Sequence, residues 1–571
     1  MKKNSGRTKY LVTATPPTTN GDLHVGHLSG PYLAADVFSR AQKLLGHEVI
    51  YLSSGDDHQT YVVTRAEKLG VEPYALAARC NEEILYTLRA GDIDTDSFSA
   101  PDKHYIEDVQ QFFSTLEQRG IICDKKVIFP YSKSQQRYLF EAYVSGICPE
   151  CYSSTAGAIC ETCGHPNDAN SLMFPSFGSA VDGEDIEYRT ITIKVLPLEK
   201  YRSAIIAFYQ QKKTVMRPHL RTFLDEMLSS PLEDFPITYP SHWGIRAPFS
   251  GYENQVLNVW AEMLPGLIHM TAKVSPDALW QPKSGYQLVQ FMGFDNSYYF
   301  SLVHLALQLA QGDLVTPTAI ITNEFFHLEN QKFSTSRAHL IWAVDLLKDY
   351  GNDNVRFFLA LVNPETQTTN FSEKEFIEAV KQKLHTPLAQ IAQVITQNPF
   401  DEMDVTDQHI HFTRYAERMT RLYSLETFSL RQAAEATAQL LRLLSDKANS
   451  TSLEGAGTIT NNLRAFVSLG LCYISHFAKP LMPAFCERLK QAIHILESDP
   501  GQTLPQSIQR LAIAKFDSTL LLAPIHKRPK QRHDRQGNEV GRQTEEHEQR
   551  VSPISENKGP TMLKTLKNTT A

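Results

Sequence analysis

Lys9-Tyr10-Leu11-Val12-Thr13-Ala14-Thr15, continued by Pro16-Pro17-Thr18-Thr19-Asn20-Gly21-Asp22-Leu23-His24-Val25-Gly26-His27, is the stretch on which the fold turns. Its first half is a short apolar run, which reads as a buried strand. The Pro- and Gly-bearing segment reads as a turn, and a helix is expected from about His24 to Leu45. Gly46-His47 closes that helix, and Glu48–Ser53 reads as the next strand. Strand, helix, strand is the repeating unit of an α/β fold with a doubly wound parallel sheet (Rossmann-like). Ligands in such sheets bind beyond the carboxyl ends of the strands, which places Thr15–His27 and Gly55–Thr60 at the candidate site.

Outward from this unit, strand-like runs recur at Gln255–Trp260, Tyr286–Met292 and 318–322. Between about 121 and 235 the pattern is irregular and reads as an insertion between two halves of the sheet domain. From about 372 the chain turns helical, with runs such as Ser429–Ser445 and Thr460–Ala478, and an all-helical bundle is expected there. From Pro524 onward aromatic residues vanish and apolar periodicity is lost, so a disordered tail is expected. At 571 residues the chain is too long for one core. With 42% hydrophobic and 21% charged residues it is not a disordered chain. A net charge of −7 argues against a globally basic nucleic-acid binder, though not against a local basic groove. No apolar run reaches the ~18 residues of a membrane span. The first residues lack the apolar stretch of a secretory signal, so a cytoplasmic location is expected.

Four of the eight cysteines form a cluster: Cys148-Pro149-Glu150-Cys151, then Cys160-Glu161-Thr162-Cys163. Two such knuckles, eight residues apart, match a tetrahedral zinc site. A disulfide pair or a redox motif is the alternative, and the missing secretion signal weighs against both. Four thiolates leave no open position, so the zinc is expected to be structural. Cys80, Cys123, Cys472 and Cys486 stand singly and read as small buried residues.

Two segments carry the chemistry. His24 and His27 lie three apart in the first turn of a helix, with Gly26 between them allowing close approach. A helix N-terminus suits phosphate, and two imidazoles there can donate to phosphoryl oxygens as charge builds. Lys332-Phe333-Ser334-Thr335-Ser336-Arg337 is a cationic loop of small hydroxyl residues, suited to neutralising a polyphosphate. Taken alone, the histidine pair reads first as surface or capping histidines, and the loop as a solvated polar loop.

Together they resemble a known family. Asn20–His27 is similar to the first signature of class I aminoacyl-tRNA synthetases, and Lys332–Ser336 to their mobile lysine–serine loop. Their order, separation and intervening cysteine insertion resemble methionyl-tRNA synthetases. Gly55-Asp56-Asp57-His58, Phe249–Glu253, Gly293-Phe294-Asp295 and Gly351–Pro364 also match, so the resemblance spans roughly residues 8–490. It implies ATP as cosubstrate, with Mg2+ bridging phosphate oxygens. His24, His27 and Lys332 would be catalytic. Asn20, Gly26, Gly293, Asp295, Ser334, Thr335 and Ser336 would hold the nucleotide. Asp56 would pair with the α-ammonium of the amino acid, and Thr15, Pro16, Trp260, Phe300 and His304 would line its side-chain pocket. The implied domains are a catalytic half (1–120), a zinc-bearing connective insertion (121–235) and a second catalytic half (236–320). A loop and stem-contact region (321–371), a helical anticodon-binding-like domain (372–523) and the tail (524–571) follow.

Departures from the family's pattern are specific. Thr335 stands where a second lysine is usual. Pro16-Pro17-Thr18 replaces Leu-Pro-Tyr, Leu267 stands in place of a tyrosine, and Phe300 and His304 replace a His and a Trp. In the anticodon helix, Lys383–Leu388, Gln390 and Gln393 lack the usual Asn and Arg, and all four tryptophans precede that domain. Three functions are therefore expected in turn. The first is ATP-dependent activation of methionine or a relative and its transfer to tRNA. The second is a tRNA-independent paralogue that ligates the activated acid to a small molecule or protein. The third is a non-catalytic tRNA-binding module. A monomer is expected in each.

Overall fold

The computed structural model describes residues 7–178, 185–275, 278–333, 339–397, 400–453, 461–499, 505–513, 519 and 521–525. The stretch from 526 onward, which holds nearly all of the expected tail, lies outside the described residues.

Five parallel strands build the main sheet: β1 (Lys9–Ala14), β2 (Glu48–Leu52), β3 (Val215–Met216), β4 (Tyr286–Gly293) and β5 (Pro317–Asn323), in the order β2-β1-β4-β5-β3. Strands buried on both faces read as continuous apolar runs, and their alternate residues feed two cores. Tyr10, Val12 and Ala14 pack with Phe38, Val289, Phe291 and Ala319 on one side. Leu11 packs with Phe113, Leu264, Leu288 and Ile320 on the other. From β1 the chain moves one way to β2 and later returns on the opposite side as β4, so β1 and β4 flank the switch point where such sheets hold ligands.

The helix expected from His24 to Leu45 is broken. Val25–His27 is one turn, Leu28–Tyr32 a widened π-type turn, and Leu33–Leu44 the helix proper. Gly30 leaves helical geometry (ψ −122°) and Pro31 follows it, a pair that removes one backbone donor. Asn363 donates to the freed Ser29 carbonyl at 2.6 Å.

The stretch 121–235 is more regular than its composition suggests. Cys123–Ser132 and Ile186–Leu196 form a long antiparallel pair, in register from Cys123↔Val195 to Ser132↔Ile186. Beyond it a three-stranded sheet (Ser154–Gly157, Glu141–Ile147, Met173–Ser176) carries the cysteines. The same stretch also returns to the main sheet, because β3 pairs in parallel with β5. Cys123 is exposed at the start of this arm, whereas Cys80, Cys472 and Cys486 are buried. The expected strand Gln255–Trp260 is only Val256–Leu257, paired with Thr238–Tyr239. The Asn258 side chain then caps the Trp260 N–H (3.0 Å) and starts the helix Val259–Val274.

The C-terminal region is helical, with Leu430–Leu453 and Asn461–Phe477 as its longest described helices. It adds an antiparallel sheet not read from sequence: Phe400–Asp404, Ile508–Ile513 and His494–Ser498. Its apolar core is continuous with that of the main sheet. Arg356, 1% exposed, lies at the junction. It pairs with Asp36 (2.6 Å) and donates to the carbonyls of Gly91, Asp92, Pro480 and Leu481.

Candidate active site

The segment after β1 is held open by backbone bonds. Thr15 N–H donates to Phe291 O (3.0 Å), and the Asp56 N–H to Pro17 O (3.0 Å). Asp22 accepts from the Leu23 N–H (2.7 Å) and the Thr87 hydroxyl (2.8 Å), fixing the chain just before the histidines. Val25 N–H donates to Ile341 O (3.0 Å), and Ala343 N–H to Leu23 O (2.9 Å). The first signature is thereby clamped to the segment that follows the lysine–serine loop.

His24 is the N-cap of the first turn and His27 its third residue. The Nδ1 of each accepts the other's backbone N–H, at 3.2 and 3.4 Å. The rings stack with centroids 3.6 Å apart, and Phe333 covers His24 on the far face at 4.8 Å. A Cβ at position 26 would lie 3.0 Å from the His24 ring and 3.2 Å from Phe333, so glycine fits the gap between them. Desolvation lowers both imidazoles, and His24 also faces His27 as a like group. His27 falls to about 4 even though part of its ring stays accessible, because the protein around it withdraws solvent. Both rings are neutral at physiological pH. With Nδ1 accepting, the proton sits on Nε2, which is the donor left for a ligand.

Asp56 is 4% exposed. Its Oδ2 accepts from the Thr18 hydroxyl (3.2 Å), and its Oδ1 is buried without a hydrogen-bond partner. Burial pushes its carboxyl well above the usual range, and the nearby acids Glu262 and Asp57 push the same way. Behind it His58 meets Glu262 (2.8 Å), which also accepts from the Tyr105 hydroxyl (3.0 Å). Burial opposes a charge on His58, but Glu262 outweighs it and the imidazole is raised. Glu262 opens the family segment Glu262–Leu267 but was given no role from sequence, and Tyr105 carried no motif signal. Asp295 lies two residues beyond the end of β4, and a Cβ at Gly293 would collide with its Oδ1. Burial raises the Asp295 carboxyl, and Asn296 donates to it (3.0 Å). The buried Tyr32 phenol feels both Asp56 and Asp295, so the two carboxylates share one region at the switch point.

Thr15, Pro16, Phe300 and His304 are buried, and Trp260 is half-buried. Trp260 stacks on Tyr299 (3.9 Å, 5°), and neutral His304 donates from Nε2 to the Trp260 carbonyl (2.7 Å). Desolvation holds the His304 imidazole down at about 4. Tyr299 was missed in the sequence, although it lies in the aromatic run Tyr298-Tyr299-Phe300 beside Asp295. Asn20 is half-buried, and its N–H donates to Thr18 O (2.9 Å). The Lys332 backbone pairs with His327, but its side chain, together with Ser334, Thr335, Ser336 and Arg337, lies outside the described residues.

The ligand atoms of Cys148, Cys151, Cys160 and Cys163 lie within 4.8 Å of one another. Cys148 and Cys163 sulfurs are 3.8 Å apart, and those of Cys151 and Cys160 are 3.5 Å apart. A disulfide needs about 2.05 Å, whereas bonds of ~2.3 Å to one zinc give tetrahedral edges of about 3.8 Å. Two tight turns shape the cradle, with Tyr152 N–H donating to Cys148 O (3.0 Å) and Gly164 N–H to Cys160 O (2.7 Å). The four thiols fit zinc.

A family model described as tRNA synthetases class I (M) matches residues 10–395. The chain is 28% identical over 522 residues to a methionine–tRNA ligase of Bacteroides fragilis, covering 87% of this chain and 75% of that one. It is 31% identical over 388 residues to a methionine–tRNA ligase of Thermoplasma volcanium, covering 66% and 70%. In fold it is similar to a Mycobacterium tuberculosis methionyl-tRNA synthetase solved with methionyl-adenylate (TM-score 0.68, 19% identity, 90% and 99% covered).

Proposed function

This chain belongs to the class I tRNA synthetases (M), and from that membership we propose that it activates methionine with ATP as an aminoacyl-adenylate and transfers it to tRNA. The observation that carries the reading is the buried, unpartnered Oδ1 of Asp56 beside the switch point. A buried carboxylate without a partner is costly, and an α-ammonium ion answers both its charge and its free acceptor.

On this reading the amino-acid carboxylate attacks the α-phosphorus of ATP, and the bond to pyrophosphate breaks. His24 and His27 donate from Nε2 to the phosphate oxygens as charge moves onto the leaving group. Gly26 and Gly293 let the nucleotide approach the backbone, and Asp295 accepts from the ribose hydroxyls. Asn20 and the hydroxyls of Ser334, Thr335 and Ser336 add donors. The neutral imidazoles bring donors but no charge, so Lys332 supplies the cation from the protein. Mg2+ bound with the phosphates would supply the remaining neutralisation. Thr15, Pro16, Trp260, Phe300 and His304 enclose the side chain. Cys148, Cys151, Cys160 and Cys163 would hold zinc, which would tie the arm together. A cytoplasmic monomer belongs to the same reading, and no described helix is long and apolar enough to cross a membrane.

A second reading, transfer to an acceptor other than tRNA, is favoured by the helical domain. Lys383 pairs with Glu435 (2.8 Å), His385 meets Asn354 (3.0 Å), and Gln390 accepts from Ser445 (2.5 Å). These polar groups are already used inside the protein, and unpaired bases are usually read by free donors and stacking planes. Amino-acid-dependent pyrophosphate exchange into ATP, followed by charging of bulk tRNA, tests both. Exchange with methionine and charging are expected. Exchange without charging selects the second acceptor, and no exchange with any amino acid leaves a non-catalytic tRNA-binding module.

A further inference from the structure

The arm that carries the cysteines also buries a carboxyl group beside Trp260. Glu141 opens the strand Glu141–Ile147, the strand that leads into Cys148. It is 3% exposed and takes a left-handed backbone (φ 47°), which a non-glycine residue adopts at a cost. Its Oε2 accepts from the Thr60 hydroxyl (3.0 Å), and that hydroxyl accepts from the Ala142 N–H (3.1 Å). Thr60 stands four residues after Asp56 at the start of the helix Thr60–Leu69. The Glu141 Oε1 is buried without a hydrogen-bond partner, and so is the indole Nε1 of Trp260. The two interact without closing a hydrogen bond.

The surroundings of Glu141 are aromatic. It faces Tyr61 of the helix after Asp56, Tyr143 of its own strand, Tyr239, and Tyr299, which stacks on Trp260. Arg137 lies over the Tyr143 ring but pairs with Glu67. Among the described residues no lysine or arginine forms an ion pair with Glu141. Burial therefore raises its carboxyl to about 7, with the Thr60 hydroxyl, the Thr60 backbone N–H and the Trp260 indole pulling it down. Near neutral pH a large share of the group carries a proton and can donate.

Resting on the proposed activation of methionine, we propose that Glu141 is a specificity-determining residue, whose free Oε1 beside Trp260 donates its O–H to the thioether sulfur of the substrate. A thioether is a weak acceptor, so the contact discriminates methionine from an isostere lacking sulfur only modestly. Beside the unpartnered Trp260 indole N–H, the position thus holds a titratable group able to tell sulfur from methylene. Ionised Glu141 has no proton to give and sets its negative charge against the sulfur lone pairs.

The test is pyrophosphate exchange with methionine and with norleucine, from pH 6 to 8.5, on wild type, Glu141→Gln and Glu141→Leu. The wild-type preference for methionine in kcat/KM is expected to fall as pH rises through about 7. Glu141→Gln keeps an N–H donor and the Thr60 contact, so its preference persists and becomes independent of pH. Glu141→Leu lowers the preference by up to about tenfold. If Glu141 only anchors Thr60, both substrates decline together and the preference stays constant in every variant, which overturns the inference. A pH dependence of the preference that survives in Glu141→Gln overturns it as well. A wild-type protein that exchanges with neither substrate overturns the underlying reading, and this inference with it.

Discussion

His24 and His27 cap each other: the Nδ1 of each accepts the other's backbone N–H while the rings stack 3.6 Å apart. This mutual cap fixes the tautomer of both rings and directs the remaining N–H donors away from the helix. Removing one ring therefore removes a donor and frees its partner. His24→Ala is expected to slow pyrophosphate exchange by about 10²- to 10³-fold, with loss of about 1 kcal/mol from the missing cap. Exchange assays and urea denaturation read the two effects separately, and an unchanged exchange rate takes His24 out of the reaction.

Asp56→Asn should act on the amino acid rather than on the fold. The carboxyl is buried with one oxygen unpartnered, so an isosteric amide relieves a buried charge. Loss of a charge-assisted contact to the α-ammonium costs roughly 10- to 100-fold in kcat/KM for the amino acid. The KM for ATP is expected to hold, and a variant with wild-type methionine kinetics would assign the ammonium to another group.

Stability should fall in mild acid. His27 and His304 are both held at about 4, below their usual value of 6.5, by desolvation. Between pH 6.5 and 4 the unfolded chain takes up protons that the folded chain refuses, so their contribution is complete above 6.5 and lost as pH falls toward 4. For the fully buried His304 this amounts to at most about 3 kcal/mol. Urea midpoints measured across this window should decline, and His304→Gln, which keeps a donor for the Trp260 carbonyl, should flatten the decline.

Arg356→Ala should be among the most destabilising single changes in the chain. Its guanidinium is 1% exposed and joins Asp36 to carbonyls from both the sheet domain and the helical region. Its loss strands the Asp36 charge and several carbonyls, at a cost of about 3–5 kcal/mol. Equilibrium denaturation measures this directly. A loss below 1 kcal/mol would mean that Arg40, which also pairs with Asp36 (2.9 Å), suffices.

Metal analysis should find one zinc per chain, and Cys151→Ser should lower it. The arm then loses thermal stability while nucleotide binding at the main sheet persists, since the knuckle lies on a separate small sheet. Full stability of a zinc-free preparation would rule out a structural metal.

The parallel sheet was legible because a strand buried on both faces needs a mostly apolar run, and Lys9–Ala14, Glu48–Leu52 and Tyr286–Gly293 each supply one, the last with Gln287 and Gln290 within it. The zinc knuckle was legible for a different reason. Four soft ligands at fixed short spacing have few other uses. Local pattern failed where a neighbour decided the outcome. Trp260 sits in an apolar run that suits a strand, yet Asn258 caps a helix there. Val215–Met216 is too short to signal anything, and only the edge of β5 makes it a strand. The break at Gly30-Pro31 was visible in the residues but was overridden by the apolar periodicity around it.

Sequence by itself supplied the residue types of the candidate site: the paired histidines and the four thiols through their local spacing, and Asp56 and Asp295 through the family resemblance. Tertiary structure alone decided which polar atoms are left without partners and which acids face one another. Glu141 reaches Thr60 across 81 positions, and Glu262 reaches His58 across 204. Desolvation and charge coupling act through space, so the protonation of a buried group is a property of the packed chain and of no segment within it.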